Sequence, residues 1–184
     1  MSTLTTTSIT LSLATLAATR ALGQRLGAAT RAGQILALNG DLGAGKTTLT
    51  QGIAAGLGIS ARVTSPTFTL VNEYDGGTRL LRLIHIDTYR LGDSASTALV
   101  EAASLGLDEI LATASFPYGD SEGAVVVIEW AERVADLLPP DILHITLTAD
   151  MVDPNARTAT LTATGRSSAV LLEAITQDEA IEFQ

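Results

Sequence analysis

Apolar and polar residues alternate in Ser8-Ile9-Thr10-Leu11-Ser12-Leu13, which predicts a strand near the start of the chain. Ala18, Leu22, Leu26 and Ala29 then recur at helical spacing and predict an amphipathic helix. Gln34-Ile35-Leu36-Ala37-Leu38-Asn39 is a short apolar run that reads as a buried strand. Thr47 to Leu57 follows as a helix with Leu49, Ile53, Ala54 and Leu57 on its apolar face. Val63 to Tyr74 begins with hydroxyl residues around Pro66 and runs into a strand. Gly76-Gly77 turns it into a second strand, Arg79 to Asp87, so the pair predicts a β-hairpin. In Ala124-Val125-Val126-Val127-Ile128-Glu129, four consecutive β-branched residues predict a central parallel strand. Ile142 to Thr164 supplies late strands, with His144 as an ordinary strand residue, and Ala169 to Ile175 is helix-like.

Between the second strand and the second helix lies Gly40-Asp41-Leu42-Gly43-Ala44-Gly45-Lys46-Thr47, a full match to the phosphate-binding pattern G-x-x-x-x-G-K-[ST]. Strand, loop and helix occur in the order that pattern requires. Gly40, Gly43 and Gly45 permit backbone angles closed to other residues, so that successive N–H groups converge on an anion at a helix N-terminus. Lys46 is the only lysine beside ten arginines. A compact ammonium suits the space between phosphates better than a planar guanidinium does, and Thr47 offers a hydroxyl to Mg²⁺. A nucleoside triphosphate at the protein surface is the expected ligand. No Asn-Lys-x-Asp block is present to read guanine, so ATP is favoured over GTP.

These elements predict a single α/β domain over residues 1–184, of the P-loop three-layer type. Helices cover both faces of a mostly parallel sheet, with antiparallel strands from the Phe68 to Asp87 hairpin and from Ile142 to Thr164. The hydrophobic content of 46% in 184 residues suffices for one core. Residues 1–40 lack acids and carry Arg20, Arg25 and Arg31, like a transit peptide, but their strand and helix patterns favour folded structure, with residues 1–5 as a loose leader. No apolar run is long enough to span a membrane. The chain has no cysteine, so disulfides and thiolate metal sites are excluded, which is compatible with the cytoplasmic location expected for this chain. Eleven basic against twenty acidic residues give a net charge of −9, which disfavours binding to nucleic acid by the chain alone.

Two strands end in a carboxylate, Leu83-Ile84-His85-Ile86-Asp87 and Ala124 to Glu129, and a phosphate site needs such an acid for Mg²⁺ or the attacking water. Glu129 is the stronger candidate for Mg²⁺, and Asp87 for positioning or deprotonating water. His85 reads as a packed residue rather than a metal ligand. Thr64 to Thr67 is placed to close over the γ-phosphate, although a plain Ser/Pro/Thr turn has the same composition. Arg90 is either a transition-state arginine or an ion-pair partner, and Trp130 either a reporter of nucleotide state or a packing residue.

Four blocks together resemble the TsaE (YjeE) family: Gly40 to Thr48, Ser65 to Tyr74, His85-Ile86-Asp87-Thr88-Tyr89-Arg90-Leu91, and Val127-Ile128-Glu129-Trp130. The resemblance covers about residues 8–165, including Arg157 in the late strands. It implies an ATPase that acts with TsaB and TsaD in making N6-threonylcarbamoyladenosine at position 37 of tRNAs reading codons that begin with A, reaching tRNA only through the complex. It implies that Lys46 and the amides of Asp41, Leu42, Gly43, Ala44, Gly45, Thr47 and Thr48 bind ATP phosphates. Thr47 and Glu129 would bind Mg²⁺, and Asp87 and Trp130 would matter for activity. Ala112 to Gly123 is longer than the family's usual turn and is expected to be a surface loop insertion. The alternatives are a small-molecule kinase and a non-hydrolysing nucleotide-dependent module. A kinase needs an arginine-rich lid, whereas Gly92 to Ala98 and Ala112 to Gly123 contain no arginine.

Overall fold

A computed structural model describes residues 6–92 and 94–177; the expected leader and the acidic end at Asp178, Glu179 and Glu182 lie outside the described residues. The N-terminal alternation forms β1 (Thr7–Leu13), followed by α1 (Leu16–Ala29). Thr15 caps that helix, its hydroxyl accepting from the Ala18 amide at 3.0 Å. Then come β2 (Ile35–Asn39), α2 (Lys46–Gly56), β3 (Val71–Tyr74) and β4 (Leu81–Asp87). The second half contains α3 (Ala95–Ser104), α4 (Leu107–Thr113), β5 (Gly123–Glu129) and a 3-10 helix (Ala131–Leu137). It closes with β6 (Leu143–Ala149), β7 (Arg157–Ala163) and α5 (Arg166–Thr176).

The strands form one sheet in the order β1-β7-β6-β2-β5-β4-β3. Its centre, β6-β2-β5-β4, is parallel, and β3, β7 and β1 pair antiparallel on the flanks. The hairpin is shorter than its sequence suggests. Leu70 has a φ of 65°, which bends the chain out of extended conformation, so β3 starts at Val71 and Phe68 sits in the turn, 83% exposed.

Alternation along the central strands divides their side chains between two layers. Leu36, Leu38, Leu83, Val125 and Val127 pack with the apolar faces of α1, α2 and α5. Ile35, Ala37, Ile84, Val126 and Ile128 pack with α3, α4 and the 3-10 helix. A strand covered on both faces must be apolar throughout, which is why β5 is buried along its whole length. Each such aliphatic side chain contributes about 1.5–3 kcal/mol through burial.

Helix α2 carries the phosphate-binding loop at its N-terminus, and α1 holds it in place through unusually close packing. Gly23 and Gly27 on α1 face Gly52 and Gly56 on α2 with no room for side chains. A Cβ on Gly27 would lie 2.1 Å from the Ile53 carbonyl oxygen. Alanine for glycine inside a helix ordinarily stabilises by about 0.5–1 kcal/mol. Here the backbone would have to separate, and such overpacking costs about 1–3 kcal/mol or more. Gly27→Ala is therefore expected to lower stability despite its better helix propensity, as urea denaturation of both proteins would reveal. An unchanged or raised midpoint would contradict the close approach of the two helices.

Because the central strands share one direction, their carboxyl ends collect at one edge of the sheet. Asp87 is in register with Glu129, and Leu38 with the same Glu129, so the two acids and the loop after Asn39 become neighbours. Among the described residues no helix is long and apolar enough to cross a membrane.

Candidate nucleotide-binding site

The loop conformation depends on its glycines. Gly40, Gly43 and Gly45 have φ values of 133°, 81° and 105°, all in the region that other residues rarely adopt. Gly40 additionally has no space for a side chain, since a Cβ there would meet the Leu147 carbonyl oxygen of β6 at 2.2 Å. Leu42 projects into solvent, whereas the Ala44 side chain is buried beneath the loop.

An open cleft of ≈ 360 Å³ is lined by Leu42, Gly43, Gly45, Lys46, Thr47 and Thr48, with Thr67, Asp87, Glu129 and Trp130 opposite. Asp41 contributes its backbone: Lys46 Nζ donates to the Asp41 carbonyl at 2.9 Å and to the Gly40 carbonyl. Lys46 lines this open cleft yet is itself only 5% exposed. Its ammonium lies 3.7 Å from the centre of the Trp130 ring, which Tyr89 flanks in turn at 4.9 Å. Burial pulls the lysine below its ordinary pKa of 10.5, while Glu129, Glu132, Asp87 and Asp41 pull it upward.

Each acid is held by short bonds. Thr47 Oγ1, in the first turn of α2, donates to Glu129 Oε1 at 3.0 Å, with Oε2 at 3.2 Å. Asp87 Oδ2 accepts from Ser65 Oγ and Thr67 Oγ1, both at 2.7 Å, and Oδ1 accepts from the Tyr89 amide at 3.0 Å. The hydroxyl segment is thus tied to the end of β4 in a defined way. Thr88, fully buried, locks the two strand ends together, its hydroxyl donating to the Trp130 carbonyl at 2.7 Å and its amide to the Glu129 carbonyl at 3.1 Å. Trp130 has a left-handed backbone, φ 59°, which turns the chain sharply after Glu129 and sets the indole beside Lys46.

The donor set suits Mg²⁺. That ion takes oxygen ligands and is held by one or two carboxylates plus substrate phosphates rather than by a complete protein cage. Thr47 and Glu129 supply such oxygens, and among the described residues no group of three or more His, Cys, Asp or Glu side chains forms a self-sufficient metal site.

Two residues join the site that motif reading did not place there. Arg157, at the start of β7, donates through Nε to the Ala44 carbonyl at 3.1 Å and through Nη1 to the Asn155 carbonyl at 2.6 Å. It buttresses the loop from beneath, so Gly45 has little room for a side chain, a Cβ there lying 3.2 Å from Arg157 Nε. Its signal in the sequence is positional: in the alternation Arg157, Ala159, Leu161, Ala163 the arginine occupies an inward place. His85 is packed as expected, fully buried, but also bonds Glu129 Oε1 at 2.8 Å. Arg90 lies over the Phe68 ring at 4.2 Å, outside the cleft lining. His144 is a β6 residue whose burial lowers its pKa from 6.5.

Comparison with known proteins gives a consistent result. The profile of the family described as "Threonylcarbamoyl adenosine biosynthesis protein TsaE" matches residues 13–159. The chain is 38% identical over 163 residues to the tRNA threonylcarbamoyladenosine biosynthesis protein TsaE of Bacillus subtilis, covering 89% of this chain and 90% of that one. It is 37% identical over 146 residues to the protein of the same name from Streptomyces coelicolor, covering 79% and 89%. The crystal structure of Bacillus subtilis YdiB superposes with a TM-score of 0.72 at 32% identity, covering 94% of this chain and 97% of that one. By fold, phosphate loop and kinship alike, the chain belongs to the TsaE family.

Proposed function

We propose that the protein is the ATP-binding and ATP-hydrolysing subunit needed for N6-threonylcarbamoyladenosine formation at position 37 of tRNAs reading codons that begin with A, acting with TsaB and TsaD. The observation that carries this reading is the junction of Lys46 and Thr47 with Glu129 and Asp87, brought together from three elements in a chain whose relatives bear the names given above. Lys46 and the loop amides bind the phosphates. Thr47 and Glu129 hold Mg²⁺, which when bound neutralises phosphate charge and polarises the bond to be broken. Asp87, held by Ser65, Thr67 and Tyr89, orients the attacking water.

The strands of the described residues form one sheet, which supports one domain over the chain. Of the insertion expected over 112–123, Ala112 and Thr113 belong to α4, Ala114 is buried and Gly123 opens β5, so the exposed stretch is the part that carries Phe116 and Tyr118. A small-molecule kinase is less well supported. The two segments that could serve as a lid, 92–98 and 112–123, contain no arginine, and in the first of them the Gly92 amide donates to Glu101 at 2.9 Å, its carbonyl accepts from Arg133, and α3 starts at Ala95. The net charge of −9 supports access to tRNA through partners, and a cytoplasmic site of action belongs to the same reading.

ATPase measurements on the protein alone and with TsaB, TsaD and tRNA test the proposal, together with tRNA binding by the isolated chain at physiological salt. Slow turnover alone, stimulation by the partners and little retained tRNA are expected. Fast turnover indifferent to partners, or tight tRNA binding by the lone chain, would refute the assembly reading. Absence of turnover under every condition would favour a non-hydrolysing nucleotide-dependent module.

A further inference from the structure

His85 sits two residues before Asp87 on β4, so both side chains point to the sheet face that carries α2. It is in register with Val127, two residues before Glu129, and the imidazole reaches diagonally to that carboxylate. The ring is completely buried, and the Nε2 to Oε1 separation is 2.8 Å. A carboxylate can only accept, so Nε2 carries the proton and donates. The other ring nitrogen, Nδ1, is buried with no hydrogen-bond partner among the described residues. A residue selected for packing alone would be aliphatic here, as are its strand neighbours Leu83 and Val127, because an unpaired buried nitrogen is costly. The imidazole instead makes one directed bond, and that bond ends on Glu129.

Glu129 Oε1 is thereby fixed by two donors on separate elements, Thr47 from α2 and His85 from β4. The fixation matters because Lys46 is close enough to feel the carboxylate's charge. A freely turning glutamate would be drawn into an ion pair with the ammonium, and both groups would be lost to their ligands. We propose that His85 is a positioning residue for the divalent-cation site: its Nε2–H holds the Glu129 carboxylate in the orientation that serves Mg²⁺ and keeps it apart from Lys46. The proposal rests on the reading of Glu129 as the acid that organises Mg²⁺. Groups that orient metal-binding side chains in this way typically change metal affinity by about 10- to 100-fold when removed.

The test is calorimetric titration of the intact protein with ADP at a series of Mg²⁺ concentrations and in EDTA, for wild type, His85→Leu, His85→Gln and Glu129→Ala. Leucine keeps the bulk without the donor, and glutamine returns an N–H near the Nε2 position. His85→Leu is expected to need about 10- to 100-fold more Mg²⁺ for the same ADP affinity, with affinity in EDTA unchanged and glutamine largely restoring the wild-type curve. A folded His85→Leu protein with the wild-type Mg²⁺ dependence would overturn the proposal, as would equal losses with and without Mg²⁺. If Glu129→Ala shifts the Mg²⁺ dependence and His85→Leu does not, only the role of His85 falls. If neither shifts it, the reading of Glu129 falls and takes the proposal with it. Should the leucine variant fail to fold, nitrogen-15 spectra of histidine-labelled wild type decide the matter, with the His85 signal assigned by its loss in His85→Gln. Its Nε2 resonance should respond to ADP with Mg²⁺ and not to ADP with EDTA, and an identical response to both would overturn the proposal.

Discussion

Replacing Lys46 by alanine is expected to lower ATP turnover by about a hundredfold or more, the scale seen when a preorganised electrostatic contact to a reacting group is removed. The only lysine of the chain stands at the one position where its charge faces the loop carbonyls and the cleft. Its stem is buried and its ammonium packs on Trp130, so alanine would also leave a void beneath the loop. Lys46→Met separates the two effects, because it keeps the stem and discards the charge. Both variants should lose turnover, and the methionine protein should retain the wild-type melting temperature more closely. Thr47→Ala is expected to fall to a similar extent, through loss of a hydroxyl that faces both Glu129 and the proposed Mg²⁺ position. Near-normal hydrolysis by Lys46→Met would remove the assignment of this cleft.

The second large effect divides the two acids. Glu129→Ala should weaken nucleotide binding only when Mg²⁺ is present, whereas Asp87→Asn should slow hydrolysis about a hundredfold with nucleotide still bound. The hydrogen bonds around each acid give the reason for expecting different behaviour. Glu129 bonds a P-loop hydroxyl that faces the open cleft and a fully buried imidazole, so its loss leaves the His85 donor without a partner inside the protein, costing about 1–3 kcal/mol. Asparagine at position 87 can still accept from the Tyr89 amide and can donate to the Ser65 and Thr67 hydroxyls, so the local structure is conserved while the negative charge is lost. ATP titrations at several Mg²⁺ concentrations, alongside single-turnover hydrolysis, resolve the two roles. The reverse pattern would exchange them.

Much of this architecture is legible locally. The glycines at 40, 43 and 45 and the lysine at 46 lie within one short segment because a loop around an anion is built from neighbouring amides, and the glycines' positive φ values follow from residue type. The β-branched run of β5 announces a strand covered on both faces, and the stripes of α1 and α2 announce helices with one buried side. Acids at the ends of β4 and β5 are visible because parallel strands present their carboxyl ends to one edge. Leu70 marks where this legibility stops: its left-handed turn shortens the hairpin, and no periodic pattern records a single dihedral angle.

Contacts between distant parts of the chain required the tertiary structure. His85 looks like one more member of an alternating strand until register with β5 aims it at Glu129, 44 residues later. Arg157 meets the Ala44 carbonyl across 113 residues, only because β7 returns beside β6 and β6 lies against β2. The sequence by itself determined the phosphate loop, the strands, helices α1, α2 and α5 and the two acids, since these follow from residue type and short-range periodicity, whereas α3, α4 and the 3-10 helix stood out only in the folded chain. The tertiary structure alone decided which side chains buttress the loop and orient the acids, because hydrogen bonds between strands and helices far apart in the chain leave no spacing signature along it.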